Sequence, residues 1–143
     1  SAEVYLQRLT PFIDAYQIEQ IRQAAYFAPG RIAEIRGDHA KAIESFQKQS
    51  AANPTEAVVH HLIGRCQRKL GDYASAEASF AKTLKIYVND PDALYELALL
   101  QSDKGEKEKA IASIEQALEA WKDADPEFKR AREARDTLAR WTS

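Results

Sequence analysis

Three stretches of the chain repeat one arrangement: GDHAKAIESF at residues 37–46, GDYASAEASF at 71–80 and, loosened, GEKEKAIASI at 105–114. Each begins with Gly and an acid, then places Ala five residues after the glycine (Ala42, Ala76, Ala110) and a bulky apolar side chain nine after it (Phe46, Phe80, Ile114). The glycines stand 34 residues apart both times. A unit this short cannot bury an apolar face alone, so a fixed period of this size calls for stacking in which each copy covers its neighbour. Between the glycines the apolar residues keep helical spacing, as in Ala42, Ile43 and Phe46 or Leu94, Leu97 and Ala98, and no β-branched alternation is sustained. The chain reads as all-α.

Each glycine follows one helical run and precedes another, which is the place of a left-handed residue closing a helix; the acid after it favours the start of the next. The repeated stretch is thus the hinge of two antiparallel helices. Its Ala lets them approach closely, and its bulky residue fills the space between neighbouring pairs. Four prolines follow a good capping residue: Thr10-Pro11, Asn53-Pro54, Asp90-Pro91 and Asp125-Pro126. Helices are expected near residues 2–9, 11–36, 39–52, 56–70, 73–88, 91–104, 107–122 and 126–141. Pro29 lies inside the second of these and is expected to break or kink it around residues 28–30.

The pattern resembles the tetratricopeptide repeat, a 34-residue helix-turn-helix unit, and three copies align without a gap at residues 23–56, 57–90 and 91–124. The eighth place of the unit holds Gly30, Gly64 and Ala98, and the turn pairs are Gly37/Asp38, Gly71/Asp72 and Gly105/Glu106. Departures occur at the fourth place (Tyr26, His60, Leu94), the eleventh (Ala33, Gln67, Gln101) and at Pro29. The resemblance implies a right-handed α-α superhelix, with residues 1–22 as an N-terminal helical segment on the first repeat and residues 125–143 as a C-terminal capping helix. In the cap, Phe128, Ala131, Leu138 and Trp141 share one face and Lys129, Arg130, Arg132, Glu133, Arg135 and Asp136 populate the others. A membrane-surface helix is the alternative there, but the mixed acids and only two large aromatics favour the cap.

Composition narrows the function. Twenty basic and twenty-two acidic side chains leave a net charge of −2, divided as +2 over residues 1–70 (nine against seven) and −4 over residues 71–143 (eleven against fifteen). That balance argues against nucleic acid, which needs a basic excess. No apolar run approaches the roughly 18 residues of a membrane span. The chain has no Met, so Ser1 is read as lying within a larger or processed protein. Cys66 stands alone, which rules out an internal disulfide and leaves the redox compartment open. No phosphate loop, GxSxG or HExxH is present; His60 and His61 are adjacent, so on a helix they point about 100° apart and cannot share a metal. Cys66 reads as a small hydrophobe rather than a nucleophile. No catalysis, cofactor or metal is expected.

Binding is what the resemblance implies. In that family the first helix of each repeat lines a concave groove, and the second, fifth, ninth, twelfth and thirteenth places face it. Carried over, these are Ala24, Phe27, Arg31, Glu34 and Ile35, then Val58, His61, Arg65, Arg68 and Lys69, then Asp92, Tyr95, Leu99, Ser102 and Asp103. From these the groove residues expected to matter are Phe27, Arg31, His61, Arg65, Arg68, Lys69, Tyr95 and Leu99. With no acid between residues 57 and 71, the middle repeat would offer a cationic floor flanked by Phe27 and Tyr95, suited to an acidic peptide or a carboxylate terminus. An ordinary solvated face is the competing reading of RCQRK. The carboxylate clamp of chaperone co-factors is not matched, because its places hold Phe27, Arg31, Leu62, Asp92 and Glu96. Val4, Leu6, Leu9, Phe12, Ile13, Ile18 and Ile21 are too apolar for a free tail; they cover the first repeat or, alternatively, meet a second copy of the chain. The expected role is a protein or peptide scaffold within a larger protein, the alternative a regulatory appendage of a bacterial signalling enzyme.

Overall fold

The computed structural model describes residues 2–9, 11 and 15–143. Its elements are helices α1 (Ala2–Leu9), α2 (Ala15–Arg22), α3 (Ala28–Ile35), α4 (His39–Ala52), α5 (Ala57–Lys69), α6 (Tyr73–Ile86), α7 (Pro91–Asp103), α8 (Lys107–Ala120) and α9 (Lys129–Thr142), with a π-helical segment at Gln23–Phe27 between α2 and α3. Among the described residues there is no strand. Antiparallel hairpins α3/α4, α5/α6 and α7/α8 follow one another in chain order, each packing on the next through α4 against α5 and α6 against α7, and α9 closes the row against α8. This is an α-α superhelix.

The hinges have one geometry. Gly37, Gly71 and Gly105 adopt φ of 82°, 80° and 78°. In each, the glycine N–H donates to the carbonyl three residues back (Glu34, Arg68, Ser102) and the acid's N–H to the carbonyl five back (Ala33, Gln67, Gln101), which satisfies the last carbonyls of the helix. Asp38 and Asp72 then cap the following helix, accepting from the backbone N–H of Lys41 (3.1 Å) and Ser75 (3.3 Å). Glu106 makes no such cap and pairs instead with Lys104 (2.9 Å) and Lys109 (3.4 Å).

Inside the first two hairpins a ring packs directly on a glycine of the facing helix. A Cβ placed on Gly30 would lie 2.6 Å from the Phe46 ring, and one on Gly64 2.6 Å from the Phe80 ring. The third hairpin solves the same contact with Ala98 and Ile114, both fully buried. The larger first-helix side chain is matched by a smaller partner, a volume-conserving exchange. Two of the departures at the eleventh place also acquire a cause: the Ser79 hydroxyl donates to Gln67 (2.6 Å) and that of Ser113 to Gln101 (2.7 Å) across their hairpins; the equivalent pair of the first hairpin is Ala33 and Ser45.

Three expectations change. Pro29 does not break its helix. The backbone stays helical from Ala15 to Ile35, and the register widens to π over the five residues just before the proline, so the hydrogen bond that Pro29 cannot donate is absorbed as a bulge. Helix α9 starts at Lys129 and not at 126, because Asp125 closes a turn, accepting from the N–H of Glu127 (2.8 Å) through its side chain and of Phe128 (2.8 Å) through its carbonyl. Helices α6 and α8 stop at Ile86 and Ala120, two residues early, where Tyr87 turns extended and Trp121 leaves helical geometry. Of the N-terminal apolar residues, the side chains of Leu6 and Leu9 and all of Phe12 and Ile13 lie outside the described residues, as does Thr10; Val4 is exposed and Ile18 and Ile21 are half-buried.

Candidate functional site

Helices α3, α5, α7 and α9 present one common face, and charged side chains join them across it. Glu34 of α3 accepts from Arg65 of α5 through both carboxylate oxygens (2.7 and 2.6 Å), and also from Arg31 one turn earlier on its own helix. Arg65 in turn lies 3.8 Å from Glu96 of α7, and Glu96 accepts from Arg130 of α9 (3.0 Å). Arg130 also donates to Asp92 (3.1 Å), while Arg68 donates to Asp103 (2.9 Å) and stands 3.8 Å from Glu96. The sign thus alternates from one first helix to the next: acid, base, acid, base.

Burial sets the strength of this chain. Glu96 is 1% exposed. Desolvation works to raise the Glu34 carboxyl, but the Arg65 hydrogen bonds and the charges of Arg65 and Arg31 outweigh it and hold the group below the usual carboxylate range. Arg65 and Arg130 follow the same balance from the other side: burial opposes their charge, and their carboxylate partners more than restore it. The His61 imidazole, enclosed among these groups, is pushed down to about 4, first by burial, against the pull of Asp92 and with help from the positive Arg65 and Arg130. Cys66 donates weakly to Glu34 (3.4 Å), and burial together with that carboxylate pushes its thiol up to about 12, so it is inert as a nucleophile at neutral pH.

The expected groove residues divide accordingly. Arg31, Arg65 and Arg68 meet in the ionic chain. His61 is buried beneath it, and Lys69 is exposed at the end of α5. Tyr95 is not an open aromatic edge: it is 6% exposed, with the Arg130 guanidinium 4.9 Å from its ring centroid, its hydroxyl 3.4 Å from Thr137 and Trp121 at 6.3 Å. Phe27 is half-buried against Phe46, 6.0 Å between centroids, and Leu99 is half-buried beside the last hairpin's core. The floor is also not a field of free cations, because the acids that RCQRK lacks arrive from α3 and α7. Glu96 and Arg130 were missed by sequence reasoning. The signal was present: Glu34, Arg65 and Glu96 are spaced by 31 residues and Arg130 follows by 34, so charges of opposite sign recur at nearly the repeat interval.

Among the described residues no cluster of His, Cys, Asp or Glu is placed to hold a metal, and no helix is long and apolar enough to cross a membrane. Family models of the tetratricopeptide repeat match residues 35–93 and 91–120. A TPR repeat-containing protein of Methanocaldococcus jannaschii is 30% identical over 117 residues, which is 82% of this chain and 20% of that protein. Among solved structures, PcrH of Pseudomonas aeruginosa in complex with the chaperone binding region of PopD superposes with a TM-score of 0.72 at 22% identity, covering 92% of this chain and 95% of that one. The second TPR domain of human RPAP3, bound to an HSP70 peptide, gives 0.70 at 15% identity and covers 87% and 98%. At these identities the likeness is one of fold.

Proposed function

The chain belongs to the tetratricopeptide repeat family, and on that premise we propose that it is a protein-interaction scaffold that receives a segment of another protein on the face of α3, α5, α7 and α9, with no chemistry of its own. The observation that carries this is the continuity of that face: four helices from successive units are locked side by side by ion pairs, which holds a recognition surface in fixed register. Structural relatives bound to a protein region or a peptide support the class of partner. The unit boundaries proposed are residues 23–56, 57–90 and 91–124, with 1–22 before them and 125–143 as the cap; the Ser79–Gln67 and Ser113–Gln101 bonds at equal places of successive units support them. The chain spans a fifth of its archaeal relative, which supports a place within a longer protein. Self-association through residues 1–22 is a secondary proposal, resting on exposed Val4, Tyr5 and Tyr16 and tested by light scattering at high concentration. The main test is site-specific photocrosslinking in source lysate with benzoylphenylalanine at position 58, on the proposed face, or at position 82, an exposed place on α6. Adducts at 58 and none at 82 are expected. The reverse pattern removes the reading.

A further inference from the structure

Resting on the interaction face just proposed, we infer that its guest is an uncharged segment of another protein anchored by apolar side chains, not an acidic tail. The charged groups at the centre of the face are taken up by one another. Arg31, Arg65, Arg68 and Arg130 stand against Glu34, Asp92, Glu96 and Asp103, four against four, so this paired set carries no net charge to attract either sign, and Lys69 stands apart from it at the exposed end of α5.

The innermost four are also hard to reach. The side chains of Arg65, Arg68, Glu34 and Glu96 are 19%, 11%, 10% and 2% exposed. A guest carboxylate taking Arg65 would have to displace the two-pronged bond from Glu34 and leave that buried acid without its main partner, a loss that cancels the gain. What stays open on the same helices, inside a rim that carries Lys69 and Asp103, is apolar. Val58 at the start of α5 and Ile35, next to Glu34, are both exposed, and Phe27 and Leu99 keep part of their surface in solvent. Exposed apolar side chains flanking a self-neutralised floor suit a guest recognised by shape and burial, whose affinity does not depend on counterions.

The test uses the whole chain, immobilised and panned with phage-displayed random dodecapeptides at 50 and 500 mM NaCl, alongside the Val58→Asp/Ile35→Asp variant, in which both altered sites are exposed and the fold is checked by circular dichroism. Expected are enriched sequences rich in apolar residues with mean net charge near zero, recovery within twofold between the two salt concentrations, and at least tenfold lower recovery on the variant. Enrichment of acidic sequences that vanishes at 500 mM yet still falls on the variant overturns this inference while keeping the face as the binding surface. Recovery that is the same on the variant, or no enrichment over a blank surface, overturns the interaction face itself.

Discussion

The contact between Gly64 and Phe80 makes the sharpest claim about a single position. A methyl group at 64 would meet the ring at 2.6 Å, and a fully buried Phe80 has little room to move. Gly64→Ala should therefore lower stability by about 1–3 kcal/mol in urea unfolding, although alanine favours helix by about 1 kcal/mol. Adding Phe80→Ile should restore most of it, because Ala98 and Ile114 already realise that pair one repeat on. His61 makes a second claim. Its folded value near 4 lies below the ordinary 6.5, so the unfolded chain takes up a proton that the native chain refuses. Its contribution is intact above about pH 6.5, declines as pH falls, and is gone below about pH 4, a total of about 3 kcal/mol. Urea melts at pH 7.5 and 5 should show a smaller loss for His61→Gln than for the native chain. The pairing of Gly64 with a ring was half legible: the sequence places small and bulky residues at constant offsets, but which of them touch depends on how the two helices rotate against each other.

Helix α9 is held at two levels, an apolar seam and an ionic tie. Ala131 and Ala134 are fully buried in the last core cluster with Leu138 and Trp141 alongside, as the amphipathic pattern of the segment foretells. Arg130 adds the bonds to Glu96 and Asp92 and covers the Tyr95 ring. Arg130→Gln should cost about 1–3 kcal/mol, since it leaves the buried Glu96 short of its nearest cation, and hydrogen exchange should accelerate in α9 before α5. Arg130 escaped sequence reading because a charge on an amphipathic helix looks solvated unless the neighbouring helix is known. The same ambiguity hid the acids opposite Arg65 and Arg68. The glycine turns, by contrast, were fully legible, since a glycine with φ near 80° is a purely local arrangement; the acid after it caps in the first two hinges and in the third, as Glu106, pairs with lysines instead. Pro29 lay between these cases: its missing donor is local, but whether a helix snaps or swells is decided by what flanks it.

At the scale of the molecule, stability is the sum of units and the interfaces between neighbours, so rearranging units tests the interfaces directly. Joining residue 56 to residue 91 would delete one unit and set Leu99 opposite Glu34, with the acid Glu96 a turn away. Joining 56 to 125 would delete two and set the acid Glu133 opposite Glu34, with Arg130 a turn away. Both variants should melt below the native chain, and Leu99→Arg in the first or Glu133→Arg in the second should recover part of the loss by returning a cation to Glu34. The alternation of sign along the first helices thus makes each seam specific to its own two helices. An array built this way tolerates the loss or gain of a whole unit only where the new junction supplies the opposite charge.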